Sequence, residues 1–150
     1  MDIITRQSLQ DVLSEILEQF AFVFAETEPS PVDPPQEDAP LLAWIGFTGQ
    51  KHSGRLTLAA SQDLGSEVAQ NVLGEEDESS IPRDANRNAL QEVVNIACGN
   101  LLARLYGTEE MFELSVPECA EISPEEWDDL ARKEGVISMS AEEEPLLVHL

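Results

Sequence analysis

The chain has 150 residues, of which 42% are hydrophobic, and this suits one folded domain with a sizeable core. Thirty Asp and Glu residues stand against eight Lys and Arg residues, for a formal net charge of −22 at pH 7. This excess argues against nucleic acids and anionic membrane surfaces as partners. We expect no signal peptide and no membrane-spanning segment, because no apolar run approaches the length that either requires. Cys98 and Cys119 are isolated, which predicts reduced thiols in a cytoplasmic protein.

The first part of the chain predicts a helix, a connection and a β-hairpin. Apolar residues recur with a helical period over residues 9–25. Five prolines and four acidic residues in segment 27–40 predict a solvated loop or linker. Residues 41–47 and 54–60 have β-type composition and flank a short polar stretch, so we expect them to form a hairpin.

Two further helices are predicted from their end signals. Asp63 is predicted to cap the first of them, and Gly74 to end it. The second is longer: it starts at Pro82 and Asp84 and ends at Gly107.

The last part of the chain returns to strands. Residues 112–122 predict a strand that Pro117 interrupts, and the tetrapeptide that begins at Ser123 fits a capping box for a short helix. A final hairpin pairs residues 136–140 with 146–150. Since the second of these strands is apolar, we expect it at a sheet edge that another subunit could extend.

These elements predict a single α+β domain over residues 1–150, with one antiparallel sheet and two long helices packed on it. A weak internal repeat is visible, because a long helix followed by strands occurs in each half. Three polar positions have the same spacing in both helices: Asp11, Glu15 and Glu18 in the first, and Asn88, Glu92 and Asn95 in the second. We interpret the first set as a solvated acidic face.

The second long helix is unusual because the face opposite its apolar stripe carries little charge. With about 100° per residue, the apolar face holds Leu90, Val93, Val94, Ala97, Leu101 and Leu105, and the other face holds Ala85, Asn88, Glu92, Asn95, Gly99 and Ala103. A glycine inside a helix costs about 1 kcal/mol relative to alanine, so Gly99 indicates that a partner approaches closely. We predict that Glu92 and Asn95 act in catalysis and that Asn88, Gly99 and Ala103 contact the partner.

These residues resemble the CheC/CheX/FliY family of chemotaxis phosphatases, most of all its CheX branch. The family motif has Asp or Ser, Glu four residues later, Asn three residues after that, and Pro about 21 residues further on. Here residues 92–95 supply the Glu and Asn, Asn88 stands at the Asp or Ser position, and Pro117 follows Asn95 after 21 residues. The hairpin and Gly99 are also similar to the family. The resemblance covers nearly the whole chain.

The resemblance implies a phosphatase that acts on the phosphorylated receiver domain of a CheY-like response regulator, and it also implies a homodimer. The receiver brings its own Mg²⁺ and Lys, so we expect no cofactor of this chain's own. What such a reaction lacks is a water held in line with the P–O bond. Asn95 is predicted to orient that water, since an amide both accepts and donates. Glu92 is predicted to contact the receiver's Lys.

Two other functions remain open. The same fold could be a catalytically weak docking or scaffold module that binds a receiver domain. It could also be a structural oligomer held together through the terminal strand around Val148. His52 and His149 are single, without a second ligand at helical spacing, so no metal site is predicted.

Overall fold

Helices cover both faces of one antiparallel sheet. The computed structural model describes residues 2–73 and 84–150, and within these ranges seven strands form the sheet, which confirms the α+β prediction. The predicted helix end at Gly74 and helix start at Pro82 lie outside the described residues. Among the helices of the described ranges, none combines the length and hydropathy needed to cross a bilayer. In chain order the elements are α1 (Ile3–Ala21), β1 (Ala25–Thr27), β2 (Leu41–Thr48), β3 (Ser53–Ala60), α2 (Gln62–Leu73), α3 (Ala85–Tyr106), β4 (Glu113–Leu114), β5 (Glu118–Glu121), α4 (Pro124–Ala131), β6 (Ile137–Ala141) and β7 (Glu144–His149).

The strand order is β1-β6-β7-β3-β2-β4, and β5 pairs with β2 on the same side as β4. The predicted hairpin of β2 and β3 is confirmed, with Leu41 opposite Ala60. The prediction that the terminal strand forms a sheet edge is wrong, because β7 pairs with both β6 and β3. Its Val148 lies opposite Leu58 on one side and Ile137 on the other. The apolar run of β7 therefore reflects a strand buried on both faces rather than an open edge.

The first helix ends earlier than its apolar period predicts. Phe22 takes a left-handed conformation with φ of 55°, and its N–H donates to the carbonyl of Glu18. The next N–H, of Val23, donates to Leu17, so two carbonyls of the last turn are capped. Val23 is then buried while Phe22 and Phe24 are exposed, because the chain has left the helical period before β1.

Two helix starts test the predicted caps. The capping box of Ser123 is confirmed: its Oγ accepts from Glu126 N, and the Glu126 carboxylate accepts from Ser123 N. The predicted cap of α2 is wrong, since Ser61 rather than Asp63 holds that position. Ser61 Oγ accepts from Leu64 N at 3.0 Å, which is the bond that a cap makes to the third residue of the helix.

Alternate residues of the central strands point to opposite faces of the sheet, and each face has its own core. Helices α1, α2 and α3 cover the larger core, whose strand residues in β2 and β3 are Leu41, Ala43, Ile45, Phe47, Leu56, Leu58 and Ala60. The smaller core surrounds Trp127 of α4, which is fully buried.

The proline-rich segment 27–40 is more than the solvated connection that its composition predicts. Its Val32 packs against the smaller core, and the Val32 carbonyl accepts a hydrogen bond from Trp127 Nε1 at 3.0 Å. The carbonyl of Ala39 accepts a second bond from Gln62 Nε2 at 3.0 Å. The ends of the segment are bonded as well, since the Pro40 carbonyl accepts from Ile122 N at 2.9 Å and the Glu28 carboxylate accepts from Ser140 Oγ at 2.7 Å. These contacts hold the segment to the domain.

The turn between β2 and β3 is fastened to the end of α3 by one carboxylate. Glu110 Oε2 accepts from the N–H groups of Lys51 and His52 at 2.8 and 3.0 Å, and Oε1 accepts from His52 Nδ1 at 2.8 Å. The His52 ring stacks on Tyr106, with centroids 4.0 Å apart. The Glu110 side chain is only 8% exposed. The hairpin tip and the last turn of α3 are therefore held as one unit.

We predict that Trp127→Phe lowers the free energy of unfolding by about 2 kcal/mol, because the smaller ring leaves space and the Val32 carbonyl loses its donor. Urea denaturation measures this change. The control is Trp44→Phe, since the Trp44 indole donates to the exposed Glu118 carboxylate and its loss should cost less than about 1 kcal/mol. Equal losses in the two variants would mean that segment 27–40 is not anchored through Trp127.

Glu110 should make stability depend on pH. Burial by itself raises the pKa of Glu110, but hydrogen bonds from the His52 side chain and from the N–H groups of Lys51 and His52 outweigh it, so the pKa lies below the ordinary 4.5. A carboxylate with a lowered folded pKa contributes its full stability above the ordinary value and loses it as the pH falls through the folded pKa.

We therefore expect Glu110→Gln to lower the free energy of unfolding at neutral pH, and the gap from the wild type to shrink as the pH falls below 4.5. Urea titrations at a series of pH values measure the gap. Glu113→Gln, at an exposed position, is the matched control and should leave stability nearly unchanged throughout. A Glu110→Gln gap that does not vary with pH would contradict the assignment.

Candidate functional site

The rotation of α3 about its axis decides which of its residues face solvent. Its apolar side packs on the sheet and on the other helices, with Leu90, Val93, Val94, Ala97, Cys98, Leu101 and Leu102 buried. On the opposite side Asn88, Glu92, Gly99 and Ala103 are exposed and Asn95 is half-buried. The structure thus brings all five predicted site residues onto one accessible face.

Ala85 departs from that prediction, since it is buried in the first turn of α3. The reason is close packing between α3 and α2 at this end. A Cβ built on Gly65 of α2 would lie 3.1 Å from the backbone and side chain of Asn86. The accessible face therefore begins at Asn88.

The polar side chains of this face have no partner among the described residues. Neither Asn88 nor Glu92 nor Asn95 makes a side-chain hydrogen bond or ion pair with the residues in 2–73 and 84–150. Polar neighbours on α3 differ: Asn100 Nδ2 donates to the Ile96 carbonyl at 3.0 Å, and Arg104 Nη2 pairs with Glu15 at 3.0 Å. The three polar side chains of the predicted site thus differ from Asn100 and Arg104 on the same helix, which are engaged within the domain.

Gly99 has open space beside it. A Cβ added there meets nothing within 4 Å among the described residues. Packing inside the domain therefore gives no reason for a glycine at this helical position, although it costs about 1 kcal/mol relative to alanine. Ala103, one turn further, is also exposed. The surface after Asn95 is shallow enough for another backbone to come near.

Sequence reasoning missed Gln91, which links the motif proline to the helix. Gln91 Nε2 donates to the Pro117 carbonyl at 3.3 Å. Ser115, two residues before Pro117, accepts a hydrogen bond at its Oγ from Gly46 N at 2.8 Å. The segment between β4 and β5 is thereby tied both to α3, one turn before Asn95, and to β2. The one feature of the sequence that could have pointed to Gln91 is its position one helical turn before Asn95.

The corresponding acidic set on α1 is already engaged. Arg104 of α3 lies 3.0 Å from Glu15 and 3.9 Å from Asp11, and these side chains are about half exposed. Glu18 is exposed as well. The predicted solvated acidic face is therefore present, but two of its carboxylates bind a cation of the neighbouring helix. Such exposed ion pairs typically stabilise a fold by less than about 1 kcal/mol.

Nucleophilic chemistry has little support at this site. Cys98 lies on α3 but faces the core, and burial raises its pKa to about 11, so its thiol stays protonated at neutral pH. Burial also raises the pKa of Cys119, against the opposing effect of Arg87. Within the described part of the chain, no group of three or more His, Cys, Asp or Glu residues is arranged to hold a metal ion. The site offers hydrogen bonds and one carboxylate.

Solved chemotaxis proteins share this fold over nearly their full length. CheX from Vibrio vulnificus superposes with a TM-score of 0.71 at 15% identity, covering 96% of this chain and 93% of that one. A chain in the CheX–CheY–BeF₃–Mg²⁺ complex from Borrelia burgdorferi gives 0.65 at 17% identity, covering 98% and 95%. FliY from Thermotoga maritima gives 0.57 at 13% identity, covering 99% and 91%. Because these identities are low, the three comparisons show a shared fold and nothing further.

Sequence comparison supplies the family. Among curated proteins nothing matches this chain. The family model described as chemotaxis phosphatase CheX, however, matches residues 41–139, which are 99 of the 150 residues. The matched range contains the hairpin of β2 and β3, all of α3 and Pro117. This chain therefore belongs to the CheX family of chemotaxis phosphatases.

Proposed function

We propose that this protein hydrolyses the aspartyl phosphate of a CheY-like response regulator. Membership of the CheX family supports a phosphatase directed at such regulators, and one structure with the same fold is a complex of CheX with CheY. The observation that carries the proposal is the unpartnered amide of Asn95, half-buried on an otherwise accessible face beside the open space at Gly99.

The reaction needs positioning more than it needs a reactive protein group. The water oxygen attacks phosphorus, and the P–O bond to the receiver's aspartate breaks. The aspartate carboxylate is the leaving group, and inorganic phosphate is the other product. Asn95 Oδ1 accepts a hydrogen bond from the attacking water while Nδ2 donates to a phosphoryl oxygen. Holding a water in line is worth on the order of a hundredfold in rate, or about 3 kcal/mol. Mg²⁺ belongs to the receiver.

Glu92 lies three residues before Asn95 and therefore next to it on the helix surface. Its carboxylate has no partner within the described residues and is available to the receiver's Lys. A charge-assisted hydrogen bond there fixes the register in which the receiver docks. Asn88 is neutral, so its contribution to docking is limited to hydrogen bonds.

Two further assignments belong to this proposal. The substrate is a cytoplasmic signalling domain, so we place the protein in the cytoplasm. The homodimer implied by the family resemblance stays a prediction, and its interface is not an extension of β7, because that strand already pairs on both sides.

We predict that Asn95→Ala lowers kcat for a phosphorylated receiver about a hundredfold with little change in KM, since the lost amide acts on the water. Glu92→Gln should instead raise KM, because its contact is made on docking. The measurement is release of labelled phosphate from the receiver under steady-state conditions.

Asn100→Ala is the matched control, because the Asn100 amide is bonded to its own helix and lies on another side of α3. It should behave as the wild type does. Equal decay of the phosphorylated receiver with the wild type and with Asn95→Ala would end the proposed mechanism. A wild type that binds the receiver without changing its decay would favour a docking module.

Gly99 allows stability and docking to be separated. We expect Gly99→Gln to raise the free energy of unfolding by about 0.5–1 kcal/mol, because glutamine favours helix and its Cβ meets nothing. The same variant should raise KM for the receiver about tenfold or more, since the side chain occupies space that the partner needs. Urea denaturation and the phosphate-release assay measure the two effects. An unchanged KM would show that no partner approaches Gly99.

A further inference from the structure

We infer that the docking face continues past Asn95 to the far end of α3, where Lys51, His52 and Met111 form a second contact area that orients the receiver. The inference rests on the proposed function and adds a binding determinant to it.

The stripe that holds Asn95 leads to this area. Tyr106 follows Asn95 by 11 residues, which places it within about 20° of Asn95 around the helix and about 16 Å further along it. A small domain is about 30 Å across. A receiver whose phosphoryl group lies over Asn95 therefore extends about 15 Å in this direction and reaches the last turn of α3 and the hairpin tip beside it.

The area is shaped to receive a side chain. An open hollow of about 480 Å³ lies between the hairpin tip and the end of α3. Its lining includes Lys51, His52, Tyr106 and Met111, and also the acidic residues Glu109 and Glu110. Met111 is 90% exposed, and the His52 side chain is 44% exposed. Apolar and aromatic surface thus stands next to polar groups, as in the central parts of protein interfaces.

The hairpin side of the area is also held rigid before any partner arrives. Glu110 accepts three hydrogen bonds from Lys51 and His52, and Tyr106 supports the imidazole from below at 4.0 Å. The His52 ring and the backbone at Lys51 therefore have little freedom for docking to remove, which lowers the entropic cost of binding at these two points. The nearly buried Glu110 carboxylate thus fixes the orientation of the exposed His52 ring.

Lys51 supplies an ammonium group at this end of the face. Lys51 is one of only eight Lys and Arg residues in a chain of net charge −22, and its ammonium makes no ion pair with the described residues. Glu92 lies about 21 Å along the helix axis from Tyr106, which borders this area. Glu110 is already bonded to His52 and to the N–H of Lys51, but Glu109 in the same hollow is exposed, so the area as a whole is not positive. Lys51 therefore selects its partner through one charge-assisted contact with a carboxylate rather than through the charge of the whole area. The partner that fits carries a carboxylate and an apolar side chain about 15 Å from its phosphorylated aspartate.

The test compares Lys51→Glu and Met111→Ser with the wild type. Each is assayed for binding to a CheY-like receiver loaded with Mg²⁺ and beryllofluoride, and for kcat and KM on the phosphorylated receiver. We expect Kd and KM to rise about tenfold in each variant while kcat changes less than twofold. The Lys51→Glu effect should shrink at high salt, which a loss of folding would not do.

Lys133→Glu is the control, because it makes the same charge change after α4, on the other face of the sheet. It should leave Kd and KM unchanged. If the wild type is active and both test variants keep wild-type Kd and KM, the second contact area is wrong and the proposed function stands. If the wild type binds without hydrolysis, the Kd values alone decide. A wild type that neither binds nor hydrolyses any tested receiver overturns both proposals.

Discussion

The rotational setting of α3 is the constraint on which the rest of the structure depends. Leu90, Val94 and Leu101 are almost fully buried, and they define the side of the helix that packs on the sheet. A rotation by one residue, about 100°, would turn Asn95 away from solvent and bring part of this apolar row to the surface. Exposing side chains of this size costs about 1.5–3 kcal/mol each. Hydrophobic packing thus fixes the position of a hydrogen-bonding group that takes no part in it.

Much of this was accessible from the sequence because helical and strand periods are local signals. The α3 face around Asn95 and the hairpin of β2 and β3 are confirmed, since both follow directly from side-chain periodicity. The position of β7 in the sheet was predicted wrongly, because an apolar strand has the same sequence pattern at the edge of a sheet as in its interior. The attachment of segment 27–40 was not predicted for a related reason. The Val32 carbonyl is bound by Trp127, which is distant in the sequence, and the composition of the segment contains no sign of this contact.

The site's own supports were the least predictable part. Gln91 and Glu110 act through partners 26 and 58 residues away, and neither contact follows any local period. In such an acidic chain, a glutamate is predicted to be one more exposed charge. Glu110 is instead nearly buried and accepts three hydrogen bonds. Sequence patterns could locate the face of α3. They could not reveal how the neighbouring loops are held against its two ends, because that depends on tertiary contacts.

The unpartnered state of Asn95 is inexpensive as long as the face stays open. A half-exposed amide still bonds to water, so the penalty of about 1–3 kcal/mol for an unsatisfied buried group does not apply. When a partner covers the face, bulk water leaves and the amide must find new bonds or incur that penalty. A trapped water and a phosphoryl oxygen together satisfy its acceptor and its donors. The same desolvation that makes docking costly elsewhere therefore favours the one arrangement that the proposed hydrolysis requires.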